Sequence, residues 1–249
     1  MASSLRQQLP PSALEWMVQT APTVVAIDLS PALCSSLARR GHRVIVSHRQ
    51  AKIAQTIRQR NDPGTLVFCA QADALPVQPC SAQAIIMPPH LSPRIDRSQL
   101  ARQLTRALDS DGWICGWNVS RDDSVPWVKR LQALMQSIDP QAMRSHSCED
   151  HPMASSKYFP HSEYKTFRLW SDINSADLLE RIGSQPALLR LEEDQRRDII
   201  AQAQALLAQS AGYSQLRLPY QLICWRAKVN HHELTQPIIL TDGGLTIPI

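Results

Sequence analysis

Residues 23–47 read TVVAIDLSPALCSSLARRGHRVIVS. Two β-branched runs, Thr23–Leu29 and Arg43–Ser47, flank a segment that opens with Ser30-Pro31 and stops at Gly41. A short, continuous apolar run suits a strand buried on both faces of a parallel sheet. Ser30 is an N-cap residue, and Pro31 fits a first helical turn, where its missing N–H is not needed. Gly41 supplies the left-handed stop. The stretch predicts a strand, a helix over Pro31–Arg40, and a second strand.

The same alternation continues outward. Residues 1–22 read as a lead-in helix around Leu14, Trp16 and Met17, stopped by Pro22. Gln50–Gln59 is a polar helix closed by the turn Asn61-Asp62-Pro63-Gly64. Thr65–Ala70 and Gln83–Met87 are strands, the second halted by Pro88-Pro89. Ser98–Leu108 is a helix with apolar Leu100, Leu104, Ala107 and Leu108. Asp109–Gly112 reads as a turn, and Trp113–Val119 as the fifth strand. Ser124–Gln136 is a helix. Residues 139–165 are a long polar loop or insertion, which at that length is functional or mobile. Ser175–Gly183, with Ser175 as N-cap, and Leu191–Gln209 are helices, and Gln215–Ala227 is a late strand. The tail, residues 230–249, holds Gly243-Gly244 and adds a turn and a short strand. This order predicts an α/β, doubly wound, mostly parallel sheet with helices on both faces, in one domain over residues 1–249.

Glycine is scarce. There are 8 glycines in 249 residues, the first at Gly41, where a usual share of about 7% would give roughly twice as many. A phosphate-cradling G-x-G-x-x-G loop after the first strand is therefore excluded. The 43% hydrophobic and 19% charged content describes a folded, globular chain rather than a disordered one. No apolar run reaches the ~18 residues of a membrane span, and residues 1–11 lack the apolar core of a secretory signal. A formal charge of +4 is too mild to point to nucleic acid.

The six cysteines show no C-x-x-C spacing, so neither a zinc ribbon nor a thioredoxin motif is present. Cys69, Cys115 and Cys224 lie in apolar runs and read as small core residues. Reduced thiols and a cytoplasmic location are expected. The densest polar cluster is His146-Ser147-Cys148-Glu149-Asp150-His151, with His161 beyond it. It reads as a polar loop, and no metal is expected there because its spacing fits no zinc pattern.

Specific residues carry a resemblance. Gln71-Ala72-Asp73-Ala74-Leu75-Pro76 is similar to the A-E-A-L-P segment after the third strand of class I S-adenosylmethionine (SAM)-dependent methyltransferases. Leu108-Asp109-Ser110-Asp111-Gly112-Trp113 resembles their L-x-P-G-G entry to the fifth strand. Trp117-Asn118, Arg121-Asp122 and Val125-Pro126-Trp127 resemble the W-N-x-R-D-x-x-V-P-W stretch of a small-molecule subgroup, as does Leu218-Pro219-Tyr220. The resemblance is patchy over residues 14–228. It implies a seven-stranded Rossmann-like methyltransferase sheet.

It also implies a cofactor site, at which this chain departs from the pattern. The family's first strand ends D-x-G-x-G-x-G. Here Asp28 stands, Ser30, Ala32 and Cys34 replace the glycines, and Pro31 lies between them. Side chains remove the close approach that glycine allows, and Pro31 removes a donor. The family's second strand ends in an acid that accepts hydrogen bonds from the ribose. Here His48-Arg49 follows: a neutral His accepts one such bond and Arg none. In a rival register, Asp28-Leu29-Ser30-Pro31 is the second-strand end and Asp28 the ribose acid. Gln71, with Ala72 and Asp73, stands where the family contacts adenine, and it equally reads as a helix or turn cap before Pro76. His90 is a weak candidate base, poised near neutral pH. Trp113, Trp117 and Trp127 read as core packing.

Two functions follow from the resemblance. One is a pseudo-methyltransferase that has lost ordinary SAM binding, favours no cofactor, and binds an unknown protein or small molecule as a regulatory module. The other is an active SAM-dependent enzyme with a divergent pocket, acting on a small molecule or lipid, since methyl transfer needs mainly proximity and orientation. A third reading gives an anionic ligand to His48, Arg49, Arg39 and Arg40.

Overall fold

The structure, a computed structural model, describes residues 9–89, 91–92, 94–122, 124–140, 142, 151–209 and 216–234. It opens with helix α1 (Pro11–Val18), strand β1 (Thr23–Ile27), α2 (Pro31–Arg39), β2 (Arg43–Ser47), α3 (Ala51–Arg60), β3 (Thr65–Phe68) and β4 (Ala82–Met87). Then come α4 (Arg97–Ala107), β5 (Leu108–Arg121), α5 (Pro126–Gln136), β6 (Ser162–Ile173), α6 (Ser175–Gly183), α7 (Pro186–Leu189), α8 (Glu193–Ala208) and β7 (Leu216–Lys228). A 3-10 turn at His231–Leu234 ends the described chain.

The strands form one seven-stranded sheet in the order β3-β2-β1-β4-β5-β7-β6. The pairs β1/β2, β1/β4, β2/β3 and β4/β5 are parallel. Two hydrogen bonds, Val229 N–H to Gly112 O and Asp122 N–H to Pro219 O, set β7 antiparallel to β5. The ion pairs Arg226–Glu163 and Arg217–Asp172 set it antiparallel to β6 as well. β1 is thus a central strand. Val24, Val25, Ala26 and Ile27 are all buried, whichever face they point to, as a strand covered on both sides requires. This decides the register: no strand precedes Thr23 among the described residues, so Asp28 ends the first strand and not the second.

The 23–47 reading holds closely. Ser30 caps α2, its Oγ accepting the Leu33 N–H at 3.4 Å, and Pro31 is the first helical residue. Gly41 sits at φ 89°, which side chains resist. Four details differ elsewhere. The turn expected over Asp109–Gly112 is part of β5, which starts at Leu108. Ala82 pairs with Leu108 but Ala84 with Trp113, so the turn-type residues bulge out of a continuing ladder. β6 begins at Ser162, inside the expected 139–165 loop, and runs through residues that carried no strand signal. Asn174, not Ser175, caps α6; its Oδ1 accepts the Asp177 N–H at 2.6 Å. Finally, residues 69–81, between β3 and β4, contain no helix, and Leu66 and Phe68 on the edge strand β3 stay exposed.

The chain divides into two compact units, one of residues 1–117, 149–165 and 224–249, the other of 118–148 and 166–223. In the first, Ile27, Ile85, Met87, Leu100, Leu104, Phe159 and Trp225 centre the core. Gly116 is required there. A Cβ on it would lie 2.6 Å from Trp225 Cζ2 and 2.9 Å from the Met87 carbonyl oxygen. The second unit packs α5, α6 and α8 around Leu131, Met135, Leu178, Ile182, Ala203 and Leu207. Here the R-D…V-P-W stretch does structural work. Asp122 is buried, and its Oδ1 accepts the Ser124 N–H (3.1 Å) and hydroxyl (2.6 Å). Those bonds, the Ser124 hydroxyl first, hold its carboxyl below the usual range. Pro126 then starts α5.

Candidate functional site

The carboxyl ends of β1, β2 and β3 bring together most of the residues singled out above. α2 begins three residues after Asp28, so Asp28-Leu29-Ser30 is the whole connection from β1. Asp28 takes φ 48°, a left-handed conformation that Asp tolerates better than most residues. Its N–H donates to Ser47 O at 2.9 Å. The carboxylate, 8% exposed, is turned toward the end of β2. Its Oδ1 accepts the Arg49 N–H at 2.8 Å, and its Oδ2 lies 3.7 Å from Arg49 Nε.

His48 is buried beside it, with Nδ1 3.7 Å from Asp28 Oδ1. That nitrogen is already an acceptor, for the Gln50 N–H at 3.0 Å, which puts the neutral ring's proton on Nε2. Burial pushes the His48 pKa down, and the Asp28 charge opposes that shift without reversing it. Burial thus favours the neutral imidazole at His48 over an ion pair with Asp28.

The replaced glycines are also occupied by packing. Ser30 is engaged as a cap. Ala32 is half-buried in the first turn of α2. Cys34 is fully buried, and its thiol pKa is pushed up to about 12, by burial first and then by the Asp62 charge. Beyond β3, Gln71 is exposed and its carbonyl accepts the Ala74 N–H, closing a turn at 3.1 Å. Ala72 is buried in the core and Asp73 is half-buried, its carbonyl accepting from Gln99 Nε2 at 3.2 Å. Arg106 of α4 fastens the same connection by donating to the carbonyls of Leu75 and Val77. His90 lies outside the described residues, as do His146, Cys148, Glu149 and Asp150.

The basic reading of this end is weakened by partners. Arg49 faces Asp28, and Arg40 donates to the Pro11 carbonyl at 2.9 Å. Cys115 and Cys224 are core residues as expected, but Cys69 is exposed because it follows an edge strand. Trp117 is buried with no hydrogen-bond partner for its indole N–H, and Trp113 donates to the Met17 carbonyl at 2.7 Å. Among the described residues no cluster of His, Cys, Asp and Glu is placed to hold a metal.

The first unit also holds a concavity that the sequence did not announce. It is a cavity of about 400 Å³ between α4 and residues 151–158, with Arg97, Arg102 and Lys157 on its rim. The hint was His151, visible only as the last member of the 146–151 polar cluster.

No protein-family model matches the chain, and no curated protein matches it. Solved structures do. A candidate Type II methyltransferase from Anaeromyxobacter dehalogenans is 16% identical, with a TM-score of 0.60 over 90% of this chain and 98% of that one. The MccD protein is 9% identical, with a TM-score of 0.50 over 88% of this chain and 96% of that one. A candidate methyltransferase from Bacillus halodurans C-125 is 10% identical, with a TM-score of 0.49 over 87% and 98%. With the strand order above, the protein has the fold of the class I SAM-dependent methyltransferases.

Proposed function

We propose that this chain is a pseudo-methyltransferase. It keeps the fold without ordinary SAM binding and works as a binding or regulatory module in the cytoplasm. The observation that carries this reading is the inward commitment of Asp28, whose carboxylate satisfies the Arg49 N–H at the end of β2. Ser30 caps α2 and Cys34 is packed away, so the backbone meant to lie bare against a methionine chain carries side chains. At the ribose position, His48 spends its one acceptor nitrogen on Gln50. These residues do not fit SAM held in the usual way. For the compartment, Cys34, Cys69, Cys80 and Cys115 are free thiols, and no helix among the described residues is long and apolar enough to cross a membrane. Isothermal titration with SAM and with S-adenosylhomocysteine tests the reading. No saturable heat is expected from either, and micromolar binding of either overturns it.

The second reading is an active SAM-dependent methyltransferase on a small molecule or lipid. The exposed Gln71 favours it, because that side chain stays available to a purine edge. Label transfer from methyl-labelled SAM to a metabolite or lipid extract decides for it.

A further inference from the structure

We propose that the cavity between α4 and residues 151–158 binds a phosphomonoester carrying an aromatic or apolar group. The cavity has a volume of about 400 Å³, within the range of small-molecule sites. It shares no residue with the Asp28–Arg49 cluster, so this site stands beside the function proposed above and does not depend on it. Three cations, Arg97, Arg102 and Lys157, line it, and among the described residues none of its lining is acidic. Ser98, Ser155 and Ser156 also belong to its lining. Two guanidinium forks and an ammonium suit the three oxygens of a phosphate dianion better than a single carboxylate. Two carboxylates stand behind the rim, Glu233 on Lys157 at 3.1 Å and Asp96 as the cap of α4.

The rest of the lining is apolar. Met153 and Ala101 are buried, and Tyr158 is half-buried with Lys157 Nζ 5.3 Å from its ring centroid. An ester group with a ring or a short hydrocarbon would cover them. The 151–158 wall is also fixed in place. His151, 5% exposed, stacks on Trp225 with centroids 4.3 Å apart, and its Nε2 meets Ser162 Oγ at 2.9 Å. Its Nδ1 accepts the Met153 N–H at 3.2 Å. The Tyr158 carbonyl accepts the Asn230 N–H at 2.8 Å, and Phe159 is fully buried. A wall set before binding spares the ligand the cost of ordering it.

Phenyl phosphate is the probe, titrated calorimetrically into the full chain in about 0.15 M salt, where diffuse attraction is screened. Saturable binding is expected, with inorganic phosphate and phenol each at least about tenfold weaker, because each lacks one half of the match. Arg97→Gln/Arg102→Gln removes two exposed cations of α4. It should weaken phenyl phosphate by about tenfold or more while the far-UV circular dichroism of the folded chain is retained. Lys157→Gln should weaken it too, independently of α4. Four results overturn the proposal: no saturable binding at about 10 mM, inorganic phosphate binding as tightly as the ester, a double variant that binds like the parent, or displacement of phenyl phosphate by SAM. The last would place the ligand in the cofactor region instead, whereas SAM binding without displacement refutes the pseudo-methyltransferase reading and leaves this one intact.

Discussion

Asp28→Ala separates a structural aspartate from a ligand-holding one. The carboxylate is 8% exposed and accepts the Arg49 N–H at 2.8 Å. A hydrogen bond to a charged acceptor contributes about 1.5–3 kcal/mol. The Arg49 guanidinium is 41% exposed, so its ion pair adds little after solvent screening. Asp28 sits at φ 48°, where alanine is less tolerated than aspartate by about 1 kcal/mol. The sum is a loss of about 2.5–4 kcal/mol. For a domain of this length that is a fall in Tm of about 5–15 °C, read by circular dichroism at pH 7.4 and by the urea midpoint. Asp28→Asn keeps an acceptor oxygen and the tolerance for this φ, so it should lose less than half as much. A Tm for Asp28→Ala within about 1 °C of the parent would refute the reasoning. The carboxylate would then be idle in the fold and open to a ligand, and the pseudo-methyltransferase reading would lose its main support.

Other outcomes follow from the same geometry. Gly116→Ala drives a methyl into Trp225 and the Met87 carbonyl, a backbone atom that cannot swing aside. Overpacking of about 1–3 kcal/mol is expected, and an unchanged urea midpoint would contradict it. His48 and His151 both have pKa values lowered by burial from 6.5. The unfolded chain takes up their protons first, so stability is level above pH 6.5 and falls as the pH drops below it. Melts at pH 7.5 and 5.5 should show that loss, His151→Phe should shrink it, and a flat profile for the parent would be inconsistent with it. Cys69 and Cys80 are exposed, whereas burial has raised the thiol pKa of both Cys34 and Cys115. Iodoacetamide should therefore mark the first pair on the native protein and the second only after denaturation, and native labelling of Cys34 would show that α2 opens.

The sheet was legible because its signals are local. β-branched runs at 23–27 and 43–47 cannot be satisfied outside a buried strand, and Ser30-Pro31 starts a helix by its own chemistry. The misreadings fall where partners decide. Asp109–Gly112 has the composition of a turn, but the pairing of Ala84 with Trp113 carries the ladder across it as a bulge. β6 is an edge strand with Tyr164, Arg168, Trp170 and Asp172 in solvent, so it has no apolar run to announce it. At the site, the loss of three glycines was plain in the sequence. The use made of Asp28 was not, since its partner N–H is 21 residues away and meets it only through the β1/β2 register.

One bare connection has a dynamic consequence. With no helix over residues 69–81, β3 is a four-residue edge strand paired only to β2 and roofed on one side. Its opening breaks few bonds and, of its own side chains, exposes only ones already partly in water. Amide hydrogen exchange along the sheet should therefore be graded, with Leu66–Phe68 trading deuterium through a local opening far cheaper than the global unfolding that releases Val24–Ile27. The end of the sheet nearest Gln71 would breathe while its centre stays closed.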